Sequence, residues 1–258
     1  MKVVFIGAGN VASALAIELY KYDFDIVQIY SRTTQSATTL AQLVNAAATT
    51  DLSTIADNAD LYIFSVKDSV LADIASQIPA NNGLWIHTAG SIPHEIFSPY
   101  TSRYGVLYPF QTFTKGREMV WKEIPVFVEA SNSQTLAVLK EIANKISDKV
   151  AELSSDKRKY IHLTGVFACN FVNHMYTLSE QILKEAGLPF DVALPLIDET
   201  SLKVHTLSPI DAQTGPAVRF DENVMNKHLS LIEDEKIREI YKLISENIHA
   251  ISNKNNKI

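Results

Sequence analysis

Two periods of apolar and polar residues divide the chain. Val3–Ile6 is a short continuous apolar run with three β-branched residues. Such a run suits a strand buried on both faces of a parallel sheet. Gly7-Ala8-Gly9-Asn10 then supplies a turn. From Val11 to Tyr22 the apolar positions Val11, Leu15 and Leu19 recur every four residues, with Ala12, Ala14 and Ala16 between them. This spacing predicts a helix whose small-residue face can lie close against a sheet. Further strands are predicted over Asp25–Tyr30, Asp60–Val66 and Leu84–His87. Helical spacing covers Thr33–Val44 and the positions Val70, Ile74 and Ile78. Alternation of strand and helix means right-handed βαβ units and a mostly parallel sheet. Tyr104–Tyr108, Pro125–Glu129 and Val150–Leu153 read as later strands, and Leu136–Ile146 as a helix.

The pattern changes at Ser154-Ser155-Asp156, a cluster suited to capping a helix. One long helical segment is predicted from there to Ala186, closed by Gly187 with Pro189 beyond. Leu163, Val166, Phe167, Phe171, Met175, Leu178 and Ile182 make it unusually apolar, and Val172 and Tyr176 widen the stripe. Such a helix is buried in its own domain or shared with a second subunit. Val192–Leu207 and Met225–Ile251 supply further helices, and the polar end Asn253–Lys257 is expected to fray. The expected division is an α/β domain over residues 1–154 and an all-α domain over 155–258.

The first turn sharpens this picture. Gly7-Ala8-Gly9-Asn10-Val11-Ala12 fits G-x-G-x-x-G/A with alanine in the third place. It ends a predicted strand and opens a predicted helix, the setting of a Rossmann dinucleotide fingerprint. Gly7 permits the tight turn, Gly9 lets backbone approach a pyrophosphate, and Ala12 lets the helix pack on the strand. The N–H groups of Asn10 and Val11 at the helix start then face phosphate charge. The competing reading is a glycine turn without a ligand.

The second strand ends Tyr30-Ser31-Arg32-Thr33, where an NAD site usually carries a carboxylate for the ribose hydroxyls. With no carboxylate to repel a 2′-phosphate and Arg32 able to pair with one, NADP is expected over NAD. Otherwise Arg32 is a solvated charge at a helix start. Ser65-Val66-Lys67 and His87-Thr88-Ala89-Gly90-Ser91 follow later strands, at the ends where open α/β sheets bind ligands. Ser65 and Val66 are expected along the cofactor track, with Thr88, Ala89, Gly90 and Ser91 nearer the nicotinamide and substrate. Lys67 reads equally as a contact or a surface charge.

Composition narrows the classes. The 258 residues are 47% hydrophobic and 20% charged, with a net charge of −6 and one cysteine. That excludes a disordered chain, a disulfide framework and a general nucleic-acid binder with its basic surface. No apolar run approaches the roughly 20 residues of a membrane span. The apolar start stops at Gly7, far short of a signal peptide, so a cytoplasmic location is expected. The seven histidines are dispersed, with no H-E-x-x-H or Cys-His spacing, so no metal site is expected. Neither a G-x-S-x-G elbow nor a phosphate loop ending in Lys-Ser/Thr is present.

The fingerprint, Ser31-Arg32-Thr33, Ser65-Val66-Lys67 and the long helical second part resemble pyrroline-5-carboxylate reductase and the deazaflavin-dependent NADP oxidoreductases. A still closer resemblance is to a Rossmann-like group with a C-terminal helical domain of unknown function. The marks of that group are His87-Thr88-Ala89-Gly90, Tyr108-Pro109-Phe110-Gln111-Thr112-Phe113, Val166-Phe167-Ala168-Cys169-Asn170 and Thr214-Gly215-Pro216-Ala217-Val218-Arg219-Phe220-Asp221. The resemblance covers essentially the whole chain. It implies an NADP-binding first domain, a homodimer formed by helical domains, and hydride transfer to or from a small imine, keto or hydroxy compound. The related β-hydroxyacid dehydrogenases place a lysine four residues before an asparagine on the long helix. Here those positions hold Val166 before Asn170 and Cys169 before Asn173. The missing lysine argues against hydroxyacid chemistry by that route and keeps a second reading open, an NADP-binding sensor or assembly protein without turnover.

Polar residues among apolar ones are the candidates for chemistry. His162, Asn170, Asn173 and His174 lie on the long helix. Asn170 and His174 share a face, and His162 stands two turns before Asn170, approximately aligned with it. His162 can exchange a proton near neutral pH. The resembling group has polar residues at both His162 and Asn170. All four are alternatively structural hydrogen-bonding groups. Thr214 and Arg219 flank a Gly-Pro break that can bring them toward an interdomain cleft. Arg219 can clamp a substrate carboxylate, or simply pair with Asp221 across a turn.

Overall fold

The computed structural model describes residues 1–255. Eight strands form one sheet: β1 (Lys2–Ile6), β2 (Asp25–Tyr30), β3 (Ala47–Thr49), β4 (Leu61–Phe64), β5 (Leu84–His87), β6 (Tyr104–Pro109), β7 (Val126–Ala130) and β8 (Val150–Glu152). Their order is β3-β2-β1-β4-β5-β6-β7-β8. Every neighbouring pair is parallel except β6–β7, which is antiparallel. The chain runs outward from β1 to β3, then returns to the other side of β1 as β4. That reversal between β1 and β4 is the switch point at which doubly wound sheets bind ligands.

Successive residues of a strand point to opposite faces, so β1 feeds two cores. Val3 and Phe5 join Leu15 and Leu19 of α1 (Asn10–Lys21), Leu40 of α2 (Thr34–Leu43) and Leu139 of α4 (Ser133–Ile146). Val4 and Ile6 face the other way, with Tyr62, Phe64, Trp85 and Phe97 beside the short α3 (Leu71–Ala75). Val3, Val4, Phe5 and Ile6 are all fully buried, which is why they form a continuous apolar run.

Three departures from the sequence reading have physical causes. β3, Ala47-Ala48-Thr49, was not predicted: an edge strand of small, exposed residues carries no apolar period. The helical spacing at Val70 and Ile74 resolves into a 3₁₀ turn, Asp68–Val70, and the five-residue α3. The long segment after Ser154 is helical as expected but not uniform. It consists of α5 (Ser155–Gly165), a π-helical stretch Val166–Phe171, and α6 (Val172–Glu185). The wider π turn shifts all that follows, so the alignment of His162 with Asn170 expected for an unbroken α-helix does not apply.

The start of α5 is held differently from the expected serine cap. Ser154 makes no side-chain capping bond. Glu129 of β7 accepts from the Ser155 backbone N–H at 2.8 Å and its hydroxyl at 2.6 Å, while Arg158 donates to the same carboxylate at 2.6 Å. Arg158 also donates to the Ile92 carbonyl and to Ser155. Its side chain is 1% exposed, so this is a desolvated ion pair anchoring α5 to the sheet.

The chain forms two compact units, Met1–Asn170 and Phe171–Ile258. The change of pattern at the Ser154-Ser155-Asp156 cluster puts the division at 154/155, whereas the Glu129–Arg158 anchor joins α5 to the first unit. The second unit contains α6, α7 (Leu194–Lys203), α8 (Pro216–Arg219), α9 (Glu222–Leu231) and α10 (Glu235–Asn255). Gly187 adopts a positive φ of 69° just beyond α6, as a helix-terminating glycine should. The expected fraying of Asn253–Lys257 is corrected at its start. Asn253 lies inside α10 with its amide 2.8 Å from His249 Nε2, whereas residues 256 and 257 lie outside the described residues. Among the described residues no helix is long and apolar enough to cross a membrane.

Candidate functional site

A cleft of about 740 Å³ opens over the C-terminal ends of the strands in the first unit. In sheet order its walls come from the ends of β2, β1, β4, β5 and β6. At about 4.8 Å per strand, five strand ends span about 19 Å.

The glycine turn forms its centre. Gly7 has a φ of +123°, its N–H donates to the Tyr30 carbonyl at 2.9 Å, and a Cβ there would overlap the Ser65 carbonyl. Gly9 precedes α1 with an ordinary φ of −76° and no side-chain cap. A Cβ on Gly9 would meet no atom within 4 Å, because it would project into open space. The first N–H groups of a 12-residue helix therefore face the cleft uncapped, as an anionic pyrophosphate requires. The Asn10 amide turns away to donate to the Phe113 carbonyl at 2.9 Å, tying the following loop to the turn.

At the β2 end stand Ser31, Arg32 and Thr33. Thr33 caps α2 through the Ser36 N–H. Arg32 is exposed and makes no ion pair among the described residues, leaving its guanidinium available to a phosphate. On the other side of β1, the Thr88 hydroxyl donates to Ser65 Oγ at 3.0 Å, joining the ends of β4 and β5. Ser91 donates a short hydrogen bond to the Asp68 carboxylate.

His87, at the end of β5, is fully buried. Its Nδ1 accepts from the Ala89 N–H at 3.1 Å, so the proton sits on Nε2. Burial, reinforced by the Arg158 charge, pushes its pKa down to about 3. A neutral His87 thus shapes the Thr88-Ala89-Gly90 wall without being part of it.

The cleft brings together Gly7, Gly9, Asn10, Val11, Ser31, Arg32, Thr33, Ser65, Val66, Thr88, Ala89 and Gly90, and adds His162 from α5. Asn170 is exposed at the end of the first unit and does not line it. Thr214 and Arg219 are exposed residues of the second unit. Asp221 caps α9 through the Val224 N–H and makes no ion pair with Arg219. Tyr108, Gln111 and Lys115 also line the cleft, although sequence reasoning gave them no role. Their signal was present in the Tyr108–Phe113 motif, which follows a strand end as the other wall segments do. Among the described residues no cluster of three or more His, Cys, Asp or Glu is arranged to hold a metal.

The sheet order, the switch-point cleft and the glycine turn define a dinucleotide-binding oxidoreductase fold. Comparison with known proteins gives the family. The family described as NADP oxidoreductase, coenzyme F420-dependent, matches residues 2–86, and a domain of unknown function (DUF2520) matches residues 124–248. A putative NADP oxidoreductase from Bacteroides fragilis is 50% identical, over 96% of this chain and 98% of that one, with a TM-score of 0.91. The chain belongs to that NADP oxidoreductase family. A Thermotoga maritima protein shares the fold at 24% identity and TM-score 0.72, over 98% and 99% of the two chains. The 1-pyrroline-5-carboxylate reductase of Streptococcus pyogenes shares it at 16% identity and TM-score 0.61, over 97% and 98%. No curated protein matched the sequence.

Proposed function

We propose that this protein binds NADP in the strand-end cleft and transfers a hydride between the nicotinamide and a small imine, keto or hydroxy compound. The observation that carries the reading is the uncapped start of α1 at Gly9 within a cleft whose β2 end holds the unpaired Arg32 and no acidic residue. Membership of the NADP oxidoreductase family supports it. The Gly7–Val11 backbone would hold the pyrophosphate, and Arg32 with Ser31 and Thr33 the 2′-phosphate. The bound nicotinamide supplies the hydride; the chain orients the substrate, limits water and moves a proton.

Binding of NADPH and NADH, followed by calorimetry, tests the cofactor. NADPH should bind at least tenfold more tightly, and equal or tighter NADH binding would overturn the assignment. A screen of imines, keto acids and hydroxy acids at the nicotinamide absorbance then tests turnover. Tight NADPH binding with no turnover throughout would favour a sensor.

The second unit supports a further part of this reading, association of two copies. Its buried apolar side chains among the described residues are only Ala217, Met225 and Ile232. Leu188, Val192, Leu196, Leu202, Leu207 and Leu231 are all exposed. So small an apolar interior does not offset the cost of ordering a unit of this size. A second copy of the chain, always present at matching concentration, is the partner that completes it.

A further inference from the structure

We propose that Tyr108 and His162 form the proton-donating pair of this site, with Tyr108 facing the substrate and His162 resupplying it. The proposal rests on the reading of the cleft as an NADP site. The Tyr108 hydroxyl lies 3.1 Å from His162 Nδ1, and the rings meet edge to face. Both residues line the cleft beside Thr88 and Gly90. Tyr108 comes from the C-terminal end of β6, four strands along the sheet from Arg32 at the end of β2. If the 2′-phosphate sits at Arg32 and the pyrophosphate at Gly9, the β5–β6 end receives the nicotinamide.

Two features show that the pair is built into the wall. Gly90 lacks a side chain where His162 lies, since a Cβ there would stand 2.6 Å from the imidazole Cγ. The Glu129–Arg158 anchor fixes the first turn of α5, one turn before His162. Tyr108 is half-buried, and burial raises its pKa, so the phenol carries its proton at neutral pH. His162 is exposed and can regain a proton from water.

Hydride adds to the carbon of C=N or C=O, and the Tyr108 O–H bond breaks as its proton passes to the nitrogen or oxygen. The protonated His162 gives its Nδ1 proton to the phenolate, restoring the phenol and leaving a neutral imidazole. In the oxidative direction each transfer reverses.

The test needs no substrate, because the oxidised nicotinamide carries a positive charge and the reduced one does not. Histidine ring signals and tyrosine ¹³Cζ signals would be followed by NMR in the NADP⁺ and NADPH complexes of the full chain. His162→Gln and Tyr108→Phe provide the assignments. The His162 ring signals should differ between the NADP⁺ and NADPH complexes. The Tyr108 Cζ signal should differ between the two complexes. Lys67, Asp68 and Lys115 line the same cleft and Arg158 acts on Tyr108, but their charges are common to both complexes.

Identical His162 ring signals in the two complexes, or an unmoved Tyr108 signal, would overturn the pair's role. Failure of the unaltered protein to bind NADPH would instead overturn the cofactor reading itself.

Discussion

Arg158 and Glu129 are joined at 2.6 Å with the guanidinium fully withdrawn from water, 29 residues apart in the chain. This pair holds the first turn of α5 against β7. Arg158→Met would leave the largely buried Glu129 carboxylate with the Ser155 N–H and hydroxyl and, at 3.6 Å, His94 Nδ1. Loss of one partner of a buried pair costs about 3–5 kcal/mol. Denaturant unfolding should show a fall of that size, and Glu129→Gln, which leaves the more deeply buried Arg158 charge without its counter-ion, should show a comparable one.

The same region makes stability depend on pH. His87 titrates near 6.5 when unfolded and is pushed down to about 3 when folded, so the unfolded chain binds its proton first. Its contribution is complete above about pH 6.5 and is lost progressively as pH falls toward 3. Between pH 8 and pH 5 that loss is about 2 kcal/mol. Burial works to raise the Glu129 pKa, but hydrogen bonds from Ser155 and Arg158 outweigh it and hold the group below its ordinary 4.5. Its contribution is present above 4.5 and is lost as pH falls through its lowered value. Unfolding curves from pH 8 to pH 5 should show the first loss in the unaltered protein and a flatter profile in His87→Gln.

Gly7 and Gly9 should respond differently to alanine. At Gly7 the positive φ and the Ser65 carbonyl both exclude a Cβ, so Gly7→Ala should lower thermal stability and abolish cofactor binding together. At Gly9 the backbone tolerates alanine and the space is open, so Gly9→Ala should leave the unfolding midpoint nearly unchanged. Its methyl would enter the pyrophosphate position and weaken NADPH at least tenfold, measurable by cofactor fluorescence.

Arg32→Gln separates the two cofactors. Removing a charge-assisted contact to the 2′-phosphate costs about 1.5–3 kcal/mol, a loss of about tenfold or more for NADPH. NADH, which lacks that phosphate, should bind with unchanged affinity. Equal losses for both would place Arg32 elsewhere on the cofactor.

Association should be visible directly. Size-exclusion chromatography with light scattering should give twice the 28.7 kDa chain mass. Leu196→Glu with Leu202→Glu should shift it to one chain mass, while a monomeric unaltered protein would refute the reading.

Short-range order was legible where the physics is local. The β1 run, the glycine turn and the α1 spacing are set by neighbours within about twelve residues, and all stand where the pattern put them. β3 was invisible because an exposed Ala-Ala-Thr edge is defined by its partner strand. The π turn at Val166–Phe171 left no mark in the apolar stripe that contains it. The cleft residues of β1, β2, β4 and β5 could be named because each follows a strand whose end a doubly wound sheet gathers on one side. Tyr108 and Lys115 follow the same logic, but their motif lacks the glycines that make the first turn conspicuous.

The alternation of strand and helix, the uncapped glycine entrance to α1 and the absence of a carboxylate after β2 are written in the linear order of residues. These depend on residue type and spacing alone. Folding alone brings His162 to Tyr108, leaves room for the imidazole at Gly90 and buries Arg158 on Glu129. Those pairings join residues dozens of positions apart, and they exist because the sheet order and the anchored α5 bring distant strand ends within hydrogen-bonding reach.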